Sequence, residues 1–346
     1  MYFKPDARIS DPEYLRTYNV FKYGDIAFEG NKSKNYANGR FVENTIGDGI
    51  VSHVFNVLRP ISPKHNLEYW KYAINNENVM GRILARCTKK TTMMTNLVTA
   101  DFLEQEICCP IELEQDKIAF FLSLIEKRLA AQEQLVDALK KYKRGAINNI
   151  FNGYTFDKSV KECLLSDVAS FHQGLTYSPE DVSDTGYLVL RSSNIQNGRL
   201  SFKDNVYVKK SISESLFVQK NDVLMCVRNG SKQLVGKTAI VNQPYPNMTW
   251  GAFMMIIRSA LKNTFVYHYL NSDSFFNQVF KDSGTATINQ ITKGTLNECR
   301  LFMPNPEQQE RICQYLDLLD GKLQKEEDYL ESLKALKQSL LQHLFI

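Results

Sequence analysis

Residues 110–151 and 304–345 align without a gap at a constant offset of 194, and this internal repeat constrains the fold of the 346-residue chain more than any other feature. Eleven of the 42 aligned pairs are identical, among them Pro110 with Pro304, Gln115 with Gln309, Leu122 with Leu316, Lys143 with Lys337 and Phe151 with Phe345. In the first copy Ile118, Leu122, Ile125, Leu129, Gln132, Val136, Leu139, Lys143, Ala146 and Ile150 step by alternating four and three; Ile312, Leu316, Leu319, Leu323, Glu326, Leu330, Leu333, Lys337, Leu340 and Leu344 do the same in the second. That is the seam of a heptad helix. Both seams carry polar residues at the same two steps, Gln132 with Glu326 and Lys143 with Lys337, as expected where register is set at some cost in stability. Asn305, Pro306 and Gln308 suit the N-cap and first turn of the second helix. About 38 helical residues at 1.5 Å each make a rod of roughly 57 Å. Two rods in one chain hide their apolar stripes most simply by pairing with each other, antiparallel.

The segments between the rods repeat more faintly. Gly24, Asp25 and Ile26 parallel Asn221, Asp222 and Val223; residues 54–59 parallel 253–258; Tyr69 parallels Tyr267; residues 91–97 parallel 285–291. Alternating residues in 220–228 and 236–241, with Gly-Asp and Asn-Gly turns, predict strands, and residues 266–280 predict helix between them. The expected fold class is therefore α+β. The expected organisation is a globular domain at 1–109, a long helix at 110–153, a second globular domain at 154–303 and a second long helix at 304–346. Some 52 residues from Tyr154 to Asn205 have no counterpart in the first copy, so the first domain is short at its N-terminal side.

Composition adds exclusions. Apolar residues make up 43% of the chain and charged ones 23%, ordinary for a globular protein, and no stretch approaches the length of a membrane span. With no signal-peptide core at the N-terminus, the expected location is the cytoplasm. Seven cysteines and five histidines show no C-x-x-C or H-x₃₋₅-H spacing, which points to reduced thiols rather than a metal site. The net charge of +4 is unevenly spread: Lys+Arg against Asp+Glu is 14 to 12 over residues 1–109, 7 to 6 over 110–153, 16 to 12 over 154–303 and 5 to 8 over 304–346. The positive excess lies in the globular segments and suits a polyanionic partner.

This layout resembles the specificity (S) subunits of type I restriction-modification systems. The resemblance covers nearly the whole chain. It is carried by Pro306, Glu307, Gln308, Gln309 and Ile312 at the helix start, by the Leu-Lys repetition of residues 333–345, and by Leu165 to Val168, Leu190 to Ile195, Asp222 to Leu224 and the loop at 284–291. It implies two target recognition domains, the first incomplete, alternating with two long helices that pair as an antiparallel coiled coil. It also implies double-stranded DNA as ligand and modification (methyltransferase) and restriction subunits as partners, with no catalysis by the chain itself.

The motifs agree with that absence of chemistry. Gly236, Lys237 and Thr238 mimic the end of a phosphate loop, but Ser231 replaces the required glycine, and residues 234–241 read as strand. Asn242 to Tyr245 has Gln243 where a methyltransferase motif has proline, and Gly47 to Gly49 lacks the dinucleotide context. No cofactor site, metal site or catalytic constellation is expected. Base readout instead needs Arg or Lys for guanine and Asn or Gln for adenine, with small polar residues on phosphates. Loops of that chemistry are Arg191, Ser192 and Asn194; Arg228, Asn229, Ser231 and Lys232; and Thr285, Thr287, Asn289 and Gln290. The first domain offers Lys32 and Lys34, and Lys89 and Lys90. The competing reading is a coiled-coil interaction scaffold without DNA specificity.

Overall fold

In the computed structural model, residues 13–31, 33, 36–62, 65–91, 94–152, 160–243, 245–281 and 290–345 are described. The chain is a mixture of helix and strand that divides into two compact units, residues 1–135 with 326–346 and residues 136–325. The long helices Glu112–Phe151 and Pro306–Leu344 are therefore each divided between the units. None of the seam positions predicted in either helix is exposed, so the four-three spacing marks the buried stripe. Asn305 is the N-cap of the second helix, its Oδ1 accepting from Gln308 N at 2.8 Å. The repeated glutamines have one job in both copies. Gln115 donates to the Pro110 carbonyl at 2.9 Å and Gln309 to the Pro304 carbonyl at 2.8 Å, each clamping the turn that starts its helix.

In the first unit a three-stranded antiparallel sheet places Ile26–Glu29 between Arg40–Glu43 and Asn56–Leu58. Helices Leu67–Ala73 and Glu77–Cys87 follow, started by the side chains of Asn66 and Asn76. Phe28, Phe41, Met80, Leu84 and Phe102 form the core. Phe345 packs with Tyr69, Ala119 and Leu122, and Asn76 donates to its carbonyl at 2.9 Å. Gln132 donates to Glu326 at Oε2 (2.6 Å) and at the backbone carbonyl (3.1 Å), Lys337 reaches Glu126 at 3.0 Å, and Arg128 lies over Tyr329. Partner numbers on the second helix thus rise as those on the first fall.

The second unit holds two four-stranded sheets. One is antiparallel, in the order Thr238–Ile240, Val223–Cys226, Met254–Ser259, Ala169–Gln173. The other runs Val182–Ser183, Tyr207–Val208, Tyr187–Leu190, Met248–Trp250, the last pair parallel. All four residues of Val223–Cys226 are buried, although alternation usually marks a half-solvated strand. The strand lies between two cores, with Val223 and Met225 in one and Leu224 and Cys226 in the other. Phe151 packs here against Phe265 and Tyr269, the counterpart of Phe345 in the first unit. Lys143 pairs with Asp320, and Tyr142 shares a hydroxyl contact of 2.9 Å with Tyr315. Two local expectations are corrected. Residues 266–280 form two helices, Phe265–Tyr269 and Asp273–Val279, because Ser272 caps the second through Phe275 N. Leu234 ends a single 3₁₀ turn, Lys232–Leu234, rather than joining a strand; Gly236, at φ +88°, turns the chain into the strand beyond.

The faint repeat is an ion pair with its backbone. Asp25 and Asp222 are buried, and each takes both oxygens to one arginine: Arg59 at 2.7 and 2.7 Å, Arg258 at 2.7 and 2.8 Å. Each also accepts from the backbone three residues earlier, Lys22 N and Gln219 N, at 2.7 Å. The preceding residues, Gly24 and Asn221, have φ of +83° and +71°, which glycine and asparagine tolerate best.

Candidate nucleic-acid interface

The Val223–Cys226 strand delivers Arg228 to the surface, and the other sheet's Tyr187–Leu190 strand delivers residues 191–194. These loops meet: Asn229 Nδ2 donates to Ser192 Oγ at 3.3 Å. The third loop joins at its described end, where Arg228 forms a β-bridge with Gln290 and Ile291 N donates to the Val227 carbonyl at 2.8 Å. Arg228, Ser231, Lys232 and Gln290 are exposed; Arg191, Ser192 and Asn229 are half-buried. Asn229 Oδ1 accepts from Ser231 N at 3.0 Å, which shapes the turn. The Arg228 guanidinium lies 5.4 Å from the centre of the Phe253 ring, and Lys232 Nζ 5.9 Å from that of Phe280. Both distances suit cation–π contact. Two sheets thus hold polar loops of mixed donors and acceptors, with the exposed Phe253 ring beside Arg228.

One candidate does not belong to that surface. Asn194 is 0% exposed. Its Oδ1 accepts from Arg191 N at 2.9 Å and its Nδ2 donates to the carbonyls of Ser201 (2.9 Å) and Asp204 (3.1 Å). Its amide is fully committed to the loop, so asparagine is there for architecture and not for a base. Arg191 pairs with Asp204 at 3.0 Å, so reaching a ligand would cost it that partner. Lys32, Lys34, Thr285, Thr287 and Asn289 lie outside the described residues. In the first unit Lys89 and Lys90 are exposed on the Thr88–Lys90 strand, opposite Asn96 and Thr95. They stand on successive residues and so face opposite sides of their hairpin. Phe253 escaped the sequence reading because it opens an apolar run, 253–258, whose next four residues are buried. Its only signal was position, directly after the Gly251 and Ala252 bend.

Among the described residues His268, Asp317 and Asp320 are placed closely enough to share an ion. Both carboxylates already have partners: His268 Nε2 meets Asp317 at 2.8 Å, Thr264 donates to Asp317, and Lys143 engages Asp320. No described helix is long and apolar enough to cross a membrane.

Residues 158–335 match the family profile of the type I restriction modification DNA specificity domain. Over 188 residues the chain is 28% identical to the type I restriction enzyme EcoKI specificity subunit of Escherichia coli strain K12, and equally to the StySPI specificity subunit of Salmonella potsdam. Each alignment covers 51% of this chain and 40% of the relative, so the match spans less than half of either relative's length. The crystal structure of the type I restriction-modification S subunit from M. genitalium superposes with a TM-score of 0.57 at 19% identity, covering 95% of this chain and 84% of that one. A chain from a structural study of complex assembly and conformational transition of the type I R-M system gives 0.61 at 17% identity, covering 94% and 82%. At such identities the likeness is one of fold.

Proposed function

Because the chain belongs to the type I restriction modification DNA specificity domain family, we propose that it is a non-catalytic specificity subunit that binds double-stranded DNA at a defined sequence. In this reading it works in the cytoplasm and positions modification (methyltransferase) and restriction subunits at that sequence. The observation that carries the reading is the convergence of three polar loops at Arg228, where Asn229 meets Ser192 and Arg228 bridges Gln290. An arginine with no carboxylate partner among the described residues, set on a strand end among Asn, Gln and Ser, has the chemistry of base-edge recognition. Lys232 and Ser231 supply phosphate contacts, and Lys89 and Lys90 do so in the first unit.

In this reading residues 154–303 form one recognition domain and residues 1–109 belong to the other. Residues 110–153 and 304–346 are the long helices that follow each domain, pairing as an antiparallel coiled coil. The pairings of Gln132 with Glu326 and of Glu126 with Lys337 support that direction. The competing reading, a coiled-coil interaction scaffold, differs in its salt dependence. A subunit that neutralises several phosphates loses affinity steeply as salt rises, with a slope of about −0.9 per phosphate in log affinity against log salt. The test is a titration of the full chain, with its partner subunits, on a selected duplex and on a scrambled one at several salt concentrations. A steep slope with preference for the selected duplex is expected. A shallow slope without preference would favour the scaffold.

A further inference from the structure

Phe253 is 60% exposed, whereas Met254, Met255, Ile256 and Ile257 after it are buried. Its backbone is tied down from several sides. Its carbonyl accepts from Val227 N at 3.0 Å and from Arg228 N at 3.2 Å. Gly251 N donates to the Leu190 carbonyl at 3.0 Å, Met254 N to the Gly251 carbonyl at 2.8 Å, and Gln173 Nε2 to the Ala252 carbonyl at 2.7 Å. Gly174 packs so closely beneath this bend that a Cβ there would lie 2.1 Å from the Gly251 oxygen. An exposed ring on a fixed bend loses little conformational freedom on binding, which makes it a better anchor than a ring on a loose loop. On the surface the Arg228 guanidinium lies over this ring, 5.4 Å from its centre, and most of the ring stays exposed.

The contact with Arg228 says what could cover the rest. A guanidinium that bonds both acceptors of a guanine lies near the plane of that base. The Phe253 ring, its centre 5.4 Å from the guanidinium, then reaches the level of a neighbouring base pair, the step being ~3.4 Å along the helix axis. At that level the apolar feature of the major groove is the thymine methyl. We propose that Phe253 is a specificity-determining residue that reads the methyl group of a thymine adjacent to the guanine contacted by Arg228. The inference rests on the DNA-reading function proposed above and adds a second letter to it.

The experiment takes a duplex selected by the full chain, with its partner subunits, from a randomised pool. Each thymine is replaced in turn by deoxyuridine, which removes a methyl and nothing else. One position next to a guanine is expected to cost the wild type about fourfold in affinity, the worth of one buried methyl. Phe253→Ala should bind the selected duplex more weakly and show no further loss at that position, while Phe253→Leu retains part of the discrimination. Unchanged melting of both variants is expected, because the side chain leaves the core untouched. If no deoxyuridine duplex weakens the wild type, or if Phe253→Ala keeps the full discrimination, the proposal is overturned while DNA reading stands. If the wild type does not prefer the selected over the scrambled duplex, DNA reading fails as well.

Discussion

Glu43 and Arg228 show how differently two polar residues are treated by this fold. Glu43 is buried, one oxygen 2.5 Å from His65 Nε2 and the other without a partner among the described residues. Burial pushes its carboxyl up to about 8, with nearby Glu68 adding to the shift, and pushes the His65 imidazole down. Near neutrality the carboxyl keeps its proton and donates it to a neutral imidazole. Between its ordinary value of 4.5 and about 8 the unfolded chain has released that proton and the folded chain has not, so stability falls as pH rises through that window. Glu43→Gln keeps a donor toward His65 and removes the titration. Thermal melts should show the variant matching the wild type at pH 4 and exceeding it increasingly toward pH 8; parallel curves would refute the assignment. Arg228, by contrast, has water and an aromatic face. Arg228→Ala should cost roughly 1 to 3 kcal/mol on the selected duplex and much less on scrambled DNA. Lys232→Ala should weaken both about equally and reduce the salt slope by about one unit. Binding titrations of the two variants would separate the roles, and no change in either would return this turn to the solvent.

At the scale of the long helices, the seam interruption is an interaction rather than a gap. Gln132, buried, gives both its amide hydrogens to Glu326, which stands at the same seam step in the other copy. Removing one partner strands the other. Gln132→Leu should therefore destabilise the chain by about 1 to 3 kcal/mol through the abandoned carboxylate. Adding Glu326→Leu should recover most of that loss, because two apolar residues suit the seam. A double-mutant cycle by denaturant unfolding measures the difference. Additive losses would mean that the two side chains do not act as a pair.

Over the whole molecule, features with a period or a repeat were legible, and features set by a second layer were not. The seams, the cap at Asn305 and the paired glutamines follow from local rules, and each is where the residues put it. The strand Val223–Cys226 was found, but its burial on both sides depends on a second sheet built from segments before and after it in the chain, 182–208 and 248–250. Asn194 reads as a base-reading residue in isolation. Only the fold brings Ser201 and Asp204 back to its amide, and Phe253 becomes visible as a surface ring only when Arg228 is seen beside it.

The buried aspartate that grips one arginine with both oxygens occurs in each unit on the same backbone frame. Six residues beyond it, at the end of the strand that it anchors, the two copies have Asn31 and Arg228, each forming the same kind of bridge, to Met94 and to Gln290. The two copies share the grip and differ in the strand-end side chain. A lineage can exchange the strand-end residue by point substitution while the grip preserves the scaffold, so divergence in what is read need not be accompanied by divergence in what folds.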